Sequence, residues 1–147
     1  MDEVPDVIGV KQSAGDLKLF ADLMADAKPG NLIFSAVDAL MYPSYTLGAH
    51  GSIAAILSAA PRASVDLWDA VKAGDHARAH DLHLKLLALW NAWMPHDNLP
   101  ASTKFAQSLQ GCPAGVARQP MAMPDAAHQA CIKTALDALG ALAAAAE

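Results

Sequence analysis

Three short apolar runs stand early in the chain: Val7-Ile8-Gly9-Val10, Leu32-Ile33-Phe34-Ser35 and Ser52-Ile53-Ala54-Ala55-Ile56. None alternates polar with apolar residues, which predicts strands covered on both faces, as in a parallel sheet. A helical pattern follows each run. Asp16 is placed to cap the first helix, which reaches about Ala27 and stops at Lys28-Pro29-Gly30-Asn31. The second helix starts near Asp38 and carries Pro43, so a kink or break is expected there. Gly48 and Gly51 bracket the turn into the third run.

Strand and helix thus alternate three times, which implies a parallel sheet with right-handed crossovers. Beyond the third run the chain turns helical. Helices are expected from about Ala63 to Lys72, from about His76 to Trp93 behind Gly74-Asp75, after Pro100 to about Gln110, and from Pro124-Asp125 into the terminal alanines. Three parallel strands make a poor isolated sheet with two open edges. The runs are also too apolar for edges, so strands from elsewhere are expected to complete the sheet.

Composition narrows the class. With 147 residues, 54% of them hydrophobic, the chain is long enough for one real core and is not a disordered segment. A net charge of −5 with no basic run speaks against nucleic acid and anionic membrane as partners. The longest apolar stretch, Ala141 to Ala146, is far too short to span a bilayer. Met1-Asp2-Glu3 is acidic where a secretory leader would be basic. Two cysteines, Cys112 and Cys131, have no metal-like spacing, and a reducing cytoplasm is the expected setting.

Candidate chemistry concentrates at the end of the first run, where Lys11 closes an apolar strand and Gln12-Ser13-Ala14-Gly15-Asp16 follow as a loop. Ligands of parallel α/β sheets sit beyond the carboxyl ends of the strands. Partial burial there would disfavour the ammonium and favour the free amine that attacks a ketone. From spacing alone, a lysine snorkelling to water explains the residue as well.

The ordered set of pieces resembles the dihydrodipicolinate synthase and N-acetylneuraminate lyase family. Gly9-Val10-Lys11-Gln12-Ser13-Ala14-Gly15-Asp16 resembles its Schiff-base strand, the sixth of a (β/α)8 barrel. Phe34-Ser35-Ala36-Val37-Asp38-Ala39-Leu40 resembles the end of the seventh, and Leu47-Gly48-Ala49-His50-Gly51-Ser52-Ile53 the approach to the eighth. Gly74-Asp75, Asn98-Leu99-Pro100, Lys104 and Arg118-Gln119-Pro120 resemble landmarks of the family's last helices. The resemblance is to the C-terminal half of such a protein and implies a fragment. Residues 1–62 would be the barrel part, a partial (β/α)8 TIM barrel, and 63–147 the last barrel helix and a C-terminal helical extension.

The resemblance implies that Lys11 forms an imine with pyruvate or another 2-oxo acid in a lyase of aldolase, synthase, dehydratase or deaminase type, with no cofactor and no metal. It implies substrate contacts at Ser13, Ala36, Asp38, Ser52 and Ile53, although capping and turn formation account equally for Ser13, Asp38 and Ser52. Ala36 stands where the family often has glycine. Ala39 lacks the acid of a sialic acid lyase, which weakens that substrate. The family's catalytic tyrosine and carboxylate-binding hydroxyls have no match here, and Tyr42 and Tyr45 do not replace them. The rival expectation is a non-catalytic half-barrel that persists only as a homo-oligomer or beside missing strands.

Two other patterns carry weaker signals. His76, His80 and His83 share one face of a helix, but at 1.5 Å per residue they span about 10 Å, too far for one ion. Trp90 and Trp93 with Leu82, Leu86 and Leu89 form an apolar stripe suited to a core or a subunit interface.

Overall fold

A computed structural model describes residue 4, residues 6–94 and residues 98–141. The run-in Met1–Glu3 and Pro5, residues 95–97, and the terminal stretch after Ala141 lie outside the described residues. The elements run in the order β1 (Gly9–Gln12), α1 (Leu17–Asp26), β2 (Leu32–Ser35), a 3-10 turn (Asp38–Leu40), α2 (Met41–Thr46), β3 (Gly51–Ser52), α3 (Ile56–Ala59), α4 (Pro61–Lys72), α5 (His76–Trp93), α6 (Leu99–Ser108) and α7 (Ala126–Ala138). The strands form one parallel sheet in the order β1-β2-β3. The result is an α/β fold with few parallel strands and many helices, an incomplete TIM-barrel-like arrangement.

Local chemistry explains the boundaries. The Asp16 carboxylate accepts the Lys18 N–H at 2.8 Å and so opens α1. Asp75 and Asp125 cap α5 and α7 in the same way, through Arg78 N–H at 3.1 Å and His128 N–H at 2.8 Å. Pro61 stands in the first turn of α4, where its missing N–H has no helical partner to lose. The break expected around Pro43 falls earlier: Leu40 leaves helical geometry between the 3-10 turn and α2, and Pro43 sits harmlessly in the first turn of α2. At Gly9 a Cβ would meet the Leu32 carbonyl oxygen at 2.8 Å, so the close approach of β1 and β2 requires glycine.

Two strand expectations are corrected. The first strand begins at Gly9 rather than Val7, which puts Lys11 within the ladder. The third is only Gly51–Ser52, and Ile56 instead opens helix α3. A short apolar run does not distinguish a strand from a buried helical turn, and here the Asp38 side chain bonds the Ile56 N–H.

Among the described residues the sheet is covered on one face only, against the expectation of two. Ile33, fully buried, and Val10 join a core that continues through Met41, Tyr45, Ile56 and Leu67 to Leu86, Leu89, Trp93 and Leu136. Leu32 and Phe34, on the alternate face of β2, stay outside that core and half-exposed. The Trp and Leu stripe of α5 serves the core: Trp93 is buried and Trp90 packs beside it, ring centroids 6.3 Å apart. No helix among the described residues is long and apolar enough to cross a membrane.

Candidate active site

The strand register sorts the candidate residues into rows. Lys11 pairs with Phe34, and Phe34 with Gly51; one step on, Gln12 pairs with Ser35, and Ser35 with Ser52. Laterally paired residues point to the same face of a sheet and successive residues to opposite faces. Lys11 therefore shares a face with Phe34, the one left open, and its side chain is exposed. The partial burial expected of Lys11 is not seen, because none of the described residues covers that face. Ser52 turns to the other face. Its hydroxyl faces Tyr45, whose phenol burial pushes up and the Ser52 hydroxyl pulls down.

The ladder continues one step past the strands. The Ala36 N–H donates to the Gln12 carbonyl at 3.0 Å, and the Ile53 N–H donates to the Ser35 carbonyl at 2.8 Å. Ser13, Ala36 and Ile53 are thus the first residues beyond the three strand ends and form a rim at the carboxyl edge. Ser13 and Ile53 are exposed and Ala36 is half-buried. The Gln12 side chain turns back to accept the Ala14 N–H at 2.7 Å, fixing the loop that carries Ser13.

Asp38 stands apart from this rim. It is 6% exposed, and its Oδ1 accepts the Ile56 N–H at 2.6 Å. Burial pushes the carboxyl above the ordinary carboxylate range, while the N–H groups of Ile56, Asp38 and Ala55 and the positive charge of Lys11 draw it back. Behind β3 lies an apolar cleft of about 340 Å³, walled by Tyr45, Ser52, Leu57, Val65 and Trp68. Tyr45 meets Trp68 edge-on at 4.9 Å. Sequence reasoning missed this cleft and the placement of Phe34 and Gly51 in one row with Lys11. Aligning the carboxyl ends of the three runs would have found the row; the cleft depends on how α2 and α4 pack. Among the described residues, no group of three or more His, Cys, Asp or Glu could hold a metal.

Comparison with known proteins supplies the context. The profile of the dihydrodipicolinate synthetase family matches residues 1–139. A 4-hydroxy-tetrahydrodipicolinate synthase of Leptothrix cholodnii is 36% identical over 126 residues, 86% of this chain and 42% of that protein. One from Ralstonia nicotianae is 32% identical over 140 residues, 95% of this chain and 47% of that protein. Among solved structures, YagE, a prophage protein of the dihydrodipicolinic acid synthase family from E. coli K12 in complex with pyruvate, superposes with a TM-score of 0.83 at 27% identity, covering 95% of this chain and 48% of its own. A dihydrodipicolinate synthase structure gives 0.82 at 28% identity, covering 96% and 48%.

These findings correct the expectation of a C-terminal half: the match is to the family along nearly the full length of this chain. The chain spans about half the length of the relatives it matches. Over residues 1–139, by sequence and by fold, the chain belongs to the dihydrodipicolinate synthetase family.

Proposed function

We propose that this chain carries the imine-forming lysine of a class I, aldolase-type lyase acting on pyruvate or another 2-oxo acid. The observation that carries the reading is the position of Lys11: an exposed amine on the open face of a parallel sheet, two rows below the rim of Ser13, Ala36 and Ile53. Family membership supports the reaction class, and the pyruvate bound by the E. coli relative supports the substrate class.

In this scheme the Lys11 amine forms a C–N bond to the ketone carbon and the carbonyl oxygen departs as water. The cationic imine then accepts the electron pair of an adjacent C–C or C–H bond as that bond breaks. No metal or diffusible cofactor enters it. Ser13, Ala36 and Ile53 line the approach. Asp38 and Ser52 contribute through backbone placement: Asp38 fixes the turn after β3, and Ser52 ends the strand whose next N–H is held by Ser35. Residues 1–62 would form the barrel part, and 63–147 the last barrel helix and a helical extension.

A second reading is favoured by the same open face. A sheet with one bare face and two unpaired edges would need further strands, from a second copy or another chain, before Lys11 is enclosed. In that reading the chain alone is non-catalytic. Mass measurement after incubation with pyruvate and borohydride separates the two. The first reading expects a pyruvyl mass gain on the chain that is lost in Lys11→Ala; no gain in either protein would contradict it.

A further inference from the structure

We propose that the packing of Tyr42 against His76, His80 and His83 is a pH-sensitive seam, holding α2 on α5 while the imidazoles are neutral and loosening it when they are protonated. Three imidazoles surround one phenol ring. Centroid distances from Tyr42 are 6.3 Å to His76, 6.4 Å to His80 and 5.6 Å to His83, and the Tyr42 hydroxyl lies 3.3 Å from His76 Nδ1. The helix spacing puts all three on one face, and Tyr42 comes from a different element.

Two opposing effects decide the sign. A single imidazolium over the phenol ring gains a cation–π attraction. His76 and His80 are exposed to water. His83 is half-buried and meets His80 one turn away, so its charge is desolvated and repelled at once. Burial first, and His80 second, hold His83 below the ordinary histidine value. The unfolded chain therefore takes that proton before the folded one, and stability present above the ordinary value is lost as pH falls.

Compensating charge is not on hand. Along α5 itself Asp75, at the N-cap before His76, is engaged by the Arg78 N–H at 3.1 Å, and Asp81 is paired with Lys85 at 2.9 Å. From α4, Asp66 is engaged by Arg62 and Arg78, Lys72 lies over Trp68, and Asp69 is exposed. The 3-10 turn brings Asp38, which is spent on Ile56, and α2 brings Tyr42 and Tyr45. From α7 come His128, Lys133 and Asp137. Among the described residues, no carboxylate is within ion-pair distance of the three imidazoles. The seam reaches the strand ends because α2 also carries Tyr45, which faces Ser52.

The test is a pair of measurements on the full chain. Thermal melts between pH 7.5 and 5.5 compare it with His80→Gln/His83→Gln, and an NMR titration follows the imidazole C–H signals and the Tyr45 and Ser52 amides. The seam predicts a Tm that falls with pH, a fall at least halved in the double variant, and a His83 midpoint below about 6.5 that the two amides share. Equal falls in both proteins, or a His83 midpoint at or above that value, would overturn it. If the double variant does not fold, the titration of the unaltered chain decides alone.

Discussion

Lys11 and Ser52 leave the sheet on opposite faces, because Lys11 is in register with Phe34 and Gly51 whereas Ser52 is in register with Ser35 and Gln12. The open face therefore holds the amine, and the covered face holds the hydroxyl. A substrate over Lys11 would meet the backbone after Ser52, not its side chain.

That division has a direct stability consequence. Ile33→Ala empties the covered face and is expected to cost about 2–5 kcal/mol. Phe34→Ala, one residue on, removes a side chain outside the core and should cost far less, about 1 kcal/mol. Urea denaturation of the two variants measures both. Equal losses would mean that the Phe34 face is covered after all.

Asp38 is expected to matter through the backbone it holds. Asp38→Ala leaves the Ile56 N–H without its acceptor and should cost about 1–3 kcal/mol, whereas Asp38→Asn keeps an oxygen there and costs less. The raised carboxyl gives the pH dependence its sign. The folded state holds this proton more tightly than the unfolded state, so the Asp38 contribution is fullest in acid and declines as pH rises through the folded value. The deficit of Asp38→Asn should therefore be larger near pH 4 than near pH 7, as read from denaturation midpoints at the two pH values. A deficit that grows toward neutrality would contradict the burial argument.

His50 stands in for a strand carbonyl. Its backbone N–H donates to Ile33 O at 2.8 Å, and its Nδ1 accepts the Ile33 N–H at 3.1 Å. Because Nδ1 accepts, the ring proton resides on Nε2 in this tautomer. His50→Ala should destabilise the chain by about 1–2 kcal/mol and speed hydrogen exchange at Ile33 above that at Phe34. Unchanged exchange at Ile33 would show that the imidazole is dispensable.

Much of this arrangement was legible in the sequence because local chemistry dictated it. Asp16, Asp75 and Asp125 announce their helices by capping them, and the α5 stripe of Leu86, Leu89 and Trp93, which reads as core or subunit interface, is core. The likeness to a Schiff-base family was visible in ordered motifs. What escaped depended on pairing between distant residues. Whether Ser52 shares a face with Lys11 is set by a register that no single run encodes. The fate of Ile56 was decided by Asp38, eighteen residues earlier in the chain. The bare face was hidden for a related reason: Leu32 and Phe34 are as apolar as Ile33, so composition alone reads both faces as covered.

The open face and edges also predict association. Gel filtration across a range of concentrations should show the elution volume moving toward larger species, with a broad melt. A concentration-independent monomer with a sharp two-state melt would show that the sheet is stable as it stands.

The central claim, that Lys11 is the nucleophile, is tested most directly by peptide mapping after borohydride reduction in the presence of pyruvate. The account predicts a reduced pyruvyl adduct on the Lys11 peptide well above that on the exposed Lys18 peptide. No adduct at Lys11, or an adduct no greater than at Lys18, would contradict it.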